Sequence, residues 1–152
     1  MSVTMKLEGF AELEKELEKI SNSAGKGALR RGARKAAQPM ADDMASRASR
    51  DQGDLADSFA VSTQLSPRQR RAHRKTTQDD KASVELFIGA GPLPQAHLEE
   101  FGSIHNAPHP MVRPAWDGGR EALLNRLKSE LWAEIQKTVR RAEARAAKRA
   151  RG

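Results

Sequence analysis

Phe59-Ala60-Val61-Ser62-Thr63-Gln64-Leu65 decides the fold class. Phe59, Val61, Thr63 and Leu65 alternate with Ala60, Ser62 and Gln64 at the period of a strand with one buried face. Val84, Leu86 and Ile88 repeat the alternation before Gly89-Ala90-Gly91-Pro92 closes it, so the two stretches read as antiparallel partners. Between them, residues 66–82 carry Pro67, the cations Arg68, Arg70, Arg71, Arg74 and Lys75, and Asp79-Asp80. That stretch is too long for a tight turn and too polar to pack, which predicts an exposed, mobile basic loop at the hairpin tip.

Outward from the hairpin the periodicity becomes helical. Upstream, Gly53-Asp54 reads as a turn, and residues 24–49 as an alanine-rich helix with the stripe Leu29, Ala33, Ala36/Ala37, Met40, Met44 and Ala48. Pro39 inside it predicts a kink or local break. Ser21-Asn22-Ser23 offers an N-cap, and Phe10, Leu13, Leu17 and Ile20 mark a shorter amphipathic helix before it. Val3, Met5 and Leu7 alternate as a first strand, broken by Gly9. Downstream, residues 92–114 hold five of the seven prolines and predict an irregular connection with a short strand or turn near Ala96–Phe101. Leu124, Leu127, Leu131, Ile135 and Val139 then describe one long helix from about Ala115 to Ala147. Pro114 suits its first turn, and Gly118-Gly119 should loosen that turn. The reading is an α+β fold in a single domain over residues 1–152: a small antiparallel sheet packed by two N-terminal helices and a long C-terminal helix.

Composition sets what such a domain can bury. Alanine supplies 24 of the hydrophobic residues and the larger apolar types only 33, with no Tyr and 4% aromatics. Alanine favours helix and close helix approach but contributes little per buried side chain, so the isolated subunit should gain stability from neighbouring copies. Cysteine is absent, which excludes disulfides, thiolate metal sites and a thiol nucleophile. No apolar run reaches the roughly 18 residues of a membrane helix, and Met1–Lys6 lacks the apolar core of a signal peptide, so a cytoplasmic site of synthesis is expected.

The net charge of +7 is localised. Residues 137–152 carry Lys137, Arg140, Arg141, Arg145, Lys148, Arg149 and Arg151 against Glu143, a net +6, and residues 66–75 carry +5; the remainder is therefore at −4. Beyond Val139 the apolar stripe reduces to alanines, which predicts a protruding basic helix end. The two basic segments could meet phosphates or an acidic partner, but no aromatics are interleaved for base stacking.

Catalytic chemistry finds little support. His97, His105 and His109 lie near Glu99 and Glu100, but in a proline-broken stretch that does not place them on one helical face, and no second His completes a zincin motif. Ser103, His105 and Asp117 lack a nucleophile elbow. Gly25-Lys26-Gly27 has the wrong glycine spacing for a phosphate loop. The reading is a non-enzyme without cofactor or metal.

One segment is distinctive: Ala96-His97-Leu98-Glu99-Glu100-Phe101-Gly102-Ser103, followed by Pro108-His109-Pro110-Met111-Val112-Arg113-Pro114-Ala115. It resembles the signature of the minor tail-component or neck family, the gene-product-ten type, of HK97-like siphophages. That family shows Glu-Phe/Tyr-Gly-Thr/Ser and then a proline-flanked Pro-Phe-Met/Leu-Arg-Pro-Ala ahead of a long helix. Gly53-Asp54-Leu55-Ala56-Asp57-Ser58-Phe59 and Val3 to Leu17 are similar to its upstream motifs, in the same order. Met111 stands where the family usually has a large aromatic, and the basic loop and tail look like additions. The resemblance implies a virion structural protein, assembled in the host cytoplasm, that joins head to tail or completes the tail as a ring, expected to be hexameric. Its partners would be further copies and other neck and tail proteins, with no membrane; the basic loop and tail themselves raise the alternative of a nucleic-acid-associated protein making non-specific phosphate contacts. Its interface or family-motif residues would be His97, Glu100, Phe101, Gly102, Ser103, Pro110, Met111, Arg113 and Pro114, with core packing the other role open to Phe101, Met111 and Trp116, and Arg113 suited to a carboxylate on a neighbour.

Overall fold

The computed structural model describes residues 11–50, 53–76 and 84–152, with the side chains of 74–76 left aside. The expected strand Val3–Leu7, Phe10, the acidic pair Asp79-Asp80 and the side chains of Arg74 and Lys75 lie outside the described residues. Among the described residues, six helices and a two-stranded sheet occur in the order α1 (Ala11–Glu18), α2 (Asn22–Arg47), α3 (Asp54–Ser58), β1 (Ala60–Ser62), α4 (Pro67–Thr76), β2 (Phe87–Gly89), α5 (Pro94–Phe101) and α6 (Val112–Arg151).

Two long helices form the frame. Ser21 caps α2, its Oγ accepting the Ala24 N–H at 3.4 Å. The buried side of α2 is made of small residues, Ala28, Gly32, Ala36, Ala37 and Ala41, with Met40 and Met44. A Cβ on Gly32 would lie 3.0 Å from the carbonyl oxygen of Glu130 and from the Cα of Leu131, so the α2 and α6 backbones touch there. At Gly119 an added Cβ would meet the Met40 Cε at 3.3 Å. Position 32 faces 130–131 and position 40 faces 119, so the helices run antiparallel. Alanine richness thus contributes contact distance rather than apolar bulk.

The expected break at Pro39 does not occur. α2 is continuous from residue 22 to 47. Pro39 is exposed, so the carbonyl it leaves without a helical donor can be hydrated, while buried residues on either side hold both halves against α6. Gly118-Gly119 likewise lie inside an uninterrupted α6.

The frame carries a core at each end. One joins Leu13 and Ile20 to Ala28, Leu131, Ile135 and Val139. The other gathers Met40, Met44, Leu55, Phe59 and Val61 around Met111, Ala115 and Leu123. Leu127 packs against both. On α6 the buried apolar stripe runs through Ala115, Leu123, Leu131, Ile135 and Val139, and Leu124 is only half-buried.

The sheet is shorter than the alternation predicts. Val61 pairs with Ile88, Ala60 with Gly89 and Ser62 with Phe87 in an antiparallel register, and the strands stop there. The predicted loop contains helix α4. Its start is a capping box: Ser66 Oγ accepts the Gln69 N–H at 3.3 Å, and Gln69 Oε1 accepts the Ser66 N–H at 3.1 Å. Pro67 stands at the first helical position, where a missing N–H costs nothing. The proline-rich connection likewise holds a helix, α5, opened by Pro94, in place of the expected strand or turn. Gly53, at φ +73°, turns the chain into the short helix α3, which the alternation did not reveal. No helix among the described residues is long and apolar enough to cross a membrane.

Candidate functional site

The segment from His97 to Pro114 folds back on itself around one carboxylate. α5 ends at Gly102, whose φ of +79° and ψ of 174° only glycine adopts readily. A Cβ there would also stand 3.0 Å from the backbone nitrogen of Pro108. The chain then turns over Ser103, whose Oγ accepts the His105 and Asn106 N–H groups at 3.3 and 3.1 Å. Ser103 N–H donates to the Asn106 carbonyl at 2.9 Å, and His109 N–H donates to the Glu99 carbonyl at 2.6 Å. This return places the start of α6 directly on Glu100.

Glu100 is 5% exposed and caps α6 from outside the helix. Its Oε2 accepts the Met111 N–H at 2.6 Å and the Val112 N–H at 2.9 Å; its Oε1 accepts the Arg113 N–H at 3.2 Å. The next residue, Pro114, has no N–H. All four groups that a helix start leaves without internal partners are therefore bonded or absent. Met111, the N-cap residue, supplies no side-chain cap of its own. The negative charge also sits at the positive end of a 40-residue helix. Burial raises the Glu100 pKa, but the N–H groups of Val112, Met111 and Arg113 and the Arg113 side chain outweigh it and hold the carboxyl below its ordinary range.

Arg113 closes the latch. Its Nε donates to Glu100 Oε1 at 3.1 Å, and a terminal guanidinium nitrogen donates to the Glu100 carbonyl at 3.1 Å. Arg113, expected to offer its charge to a neighbour's carboxylate, meets Glu100 of its own chain here, and its side chain stays 60% exposed. The guanidinium also lies 5.2 Å from the centroid of the Phe101 ring, and His97 packs on the same ring at 4.9 Å. Met111 is fully buried in the core, whereas Pro110 is exposed and Pro114 half-buried.

Opposite Glu100, the same segment shows an apolar surface. Leu98, Phe101 and Ile104 are 50%, 58% and 97% exposed. They account for three of the four exposed large hydrophobics among the described residues; the fourth is Trp132. Glu100 and Phe101 are consecutive, one turned inward to the latch and one outward to solvent.

A second buried carboxylate, absent from the sequence reading, ties α6 to α2. Glu134 accepts Lys35 Nζ at 2.5 Å and Arg31 Nε at 2.9 Å, and Arg31 also reaches Thr138 Oγ1 at 3.2 Å. Lys35 and Arg31 bring the Glu134 pKa down to about 2 against the effect of burial, and Glu134 raises that of Lys35. The sign in the sequence was a lone acid inside the stripe Leu131–Ile135.

The basic segments separate. Arg68, Arg70 and Arg71 are exposed on α4, beside the sheet, with Arg70 reaching the Leu65 carbonyl at 3.5 Å. Arg140, Arg141, Arg145, Lys148 and Arg149 are exposed on the last turns of α6, past the other core. The described histidines, cysteine-free chain and acids include no group of three that could hold a metal ion.

Comparison with known families matches residues 11–102 to the HK97-gp10-like family, described as "Bacteriophage HK97-gp10, putative tail-component". The match spans more than half of the chain, from α1 through the latch glutamate to Gly102, and the chain belongs to this family of phage tail components. No curated protein and no solved structure matches it.

Proposed function

We propose that this chain is a non-enzymatic structural protein of the virion of a long-tailed phage, joining head to tail or completing the tail as one subunit of a homo-oligomeric ring, with six copies as the expected number. The observation that carries this reading is the exposure of Leu98, Phe101 and Ile104 on α5 and the loop after it, within and just beyond the family-matched segment. Exposed apolar side chains on a helix and on a loop cross-bonded at Ser103 and His109 suit a protein contact, since part of the ordering cost is met in the free subunit. Family membership supports other tail proteins as partners; on this reading further copies and neighbouring neck proteins join them, with assembly in the host cytoplasm.

Quantitative mass spectrometry of purified particles tests it. The chain should be present at a few copies per particle, in a fixed ratio to the other tail components, and retained after nuclease treatment. Its absence from both intact particles and isolated tails would overturn the reading.

A further inference from the structure

The end of α6 has a chemistry that the tail-component reading leaves unused. From Lys137 to Arg151 the helix carries seven cations and one acid, Glu143. All seven cations are exposed, and none forms an ion pair or side-chain hydrogen bond among the described residues. At 3.6 residues per turn, Lys137, Arg140, Arg141, Arg145, Lys148, Arg149 and Arg151 fall within about 180° of the helix circumference. Ala142, Ala146 and Ala150 lie on the other side, continuing the stripe that Leu131, Ile135 and Val139 bury. With a rise of 1.5 Å per residue the basic face is roughly 21 Å long.

Two classes of polyanion could meet such a face. An acidic protein surface would need an apolar centre to hold it, because protein interfaces draw most of their energy from a few desolvated aromatic or large aliphatic side chains. Past Val139 this helix has no apolar side chain larger than alanine. Binding to a phosphate backbone needs no such centre: its free energy comes from neutralised phosphates and the counterions they release. Five of the seven cations are arginines, whose planar forks bond phosphate oxygens in pairs. No aromatic or amide side chain on this face reads a base edge. We propose that the last turns of α6 bind the phosphate backbone of duplex nucleic acid without reading its sequence.

The test is fluorescence anisotropy of the full chain with two unrelated 20-base-pair duplexes, titrated from about 50 to 200 mM salt. The expected result is equal affinity for both, with log K falling linearly in log salt. The combined substitution Arg141→Glu, Arg145→Glu and Lys148→Glu should flatten the salt slope by about 3 and weaken binding at least tenfold. Arg68→Glu with Arg71→Glu on α4 should weaken binding far less than the α6 triple and leave the salt slope close to that of the parent chain. All five positions are exposed, so circular dichroism should show the fold retained in both variants. No binding at the lowest salt, loss of binding through the α4 pair instead, or a strong preference for one duplex would overturn the proposal. So would a triple variant that keeps its DNA affinity while losing self-association, since that would assign the basic face to a protein partner.

Discussion

Glu100 accepts the backbone N–H of Met111 at 2.6 Å, a bond between the last turn of one helix and the N-cap residue of the next. Eleven residues of sequence separate the two groups, and the loop between them is itself cross-bonded at Ser103 and His109. The core fixes Met111 and the carboxylate fixes the direction in which α6 leaves it. Phe101, the next residue along from Glu100, is thereby held on the surface.

Removing the carboxylate should cost more than removing its cation. Glu100→Ala strands three buried or half-buried N–H groups, a loss of about 2–4 kcal/mol. For a chain of this length that lowers Tm by roughly 5–12 °C in a thermal melt. Arg113→Ala leaves the backbone bonds in place and removes a half-exposed ion pair, so a loss of about 1 kcal/mol is expected. Equal losses would mean that the side-chain pair, and not the helix cap, holds the segment.

Acid should unfold the protein through its two buried carboxylates. Glu134 titrates at about 2 in the folded chain against 4.5 as its ordinary value, and Glu100 is shifted in the same direction. A depressed carboxylate contributes stability that is present above its unfolded pKa and lost as pH falls toward the folded one. The urea midpoint should therefore be flat above pH 5 and fall from about pH 4.5 to 2. Glu134→Gln should shallow that fall while lowering stability at neutral pH, because Arg31 and Lys35 lose their shared partner.

The helices were legible in the sequence wherever an apolar stripe ran for several turns. α2 and α6 carry such stripes, and Ser21 announces the first of them. α4 carries none, having only Arg, Gln, Ala, His, Lys and Thr after Pro67, so its polarity read as loop although most of these are good helix formers. The signal lay in Ser66-Pro67-Arg68-Gln69, a capping box with proline at the first position. Pro94 misled in the same way, opening α5 where a proline was expected to break the chain. For Phe59–Leu65, alternation showed which side faces the core but not how many residues pair, which depends on where the partner strand ends. At the site, residue types alone could not tell an intrachain latch from an interface: Glu100 and Arg113 pair within the chain only because Gly102 and the 103–110 loop bring them together.

Two glycines in the long helices should respond oppositely to alanine. Gly118 has open space around its Cβ direction, so Gly118→Ala should stabilise by up to about 1 kcal/mol through helix propensity. At Gly32 the added methyl meets the backbone of Glu130 and Leu131, which cannot rotate away. Gly32→Ala should destabilise by about 1–3 kcal/mol despite the same gain in propensity. Denaturant midpoints of the two variants check both signs, and a stabilising Gly32→Ala would show that the two backbones lie farther apart.

As proposed, this tail component acts by self-assembly through the surface that the latch presents. Multi-angle light scattering of the purified chain across concentration and salt tests it most directly, alongside the variant Leu98→Ser, Phe101→Ser, Ile104→Ser. The expected result is a discrete species of about six subunits of 16.7 kDa for the parent chain, insensitive to salt as an apolar contact should be, and a folded monomer for the variant. A 16.7 kDa monomer for both chains at every concentration, or a ring that survives the three substitutions, would contradict it.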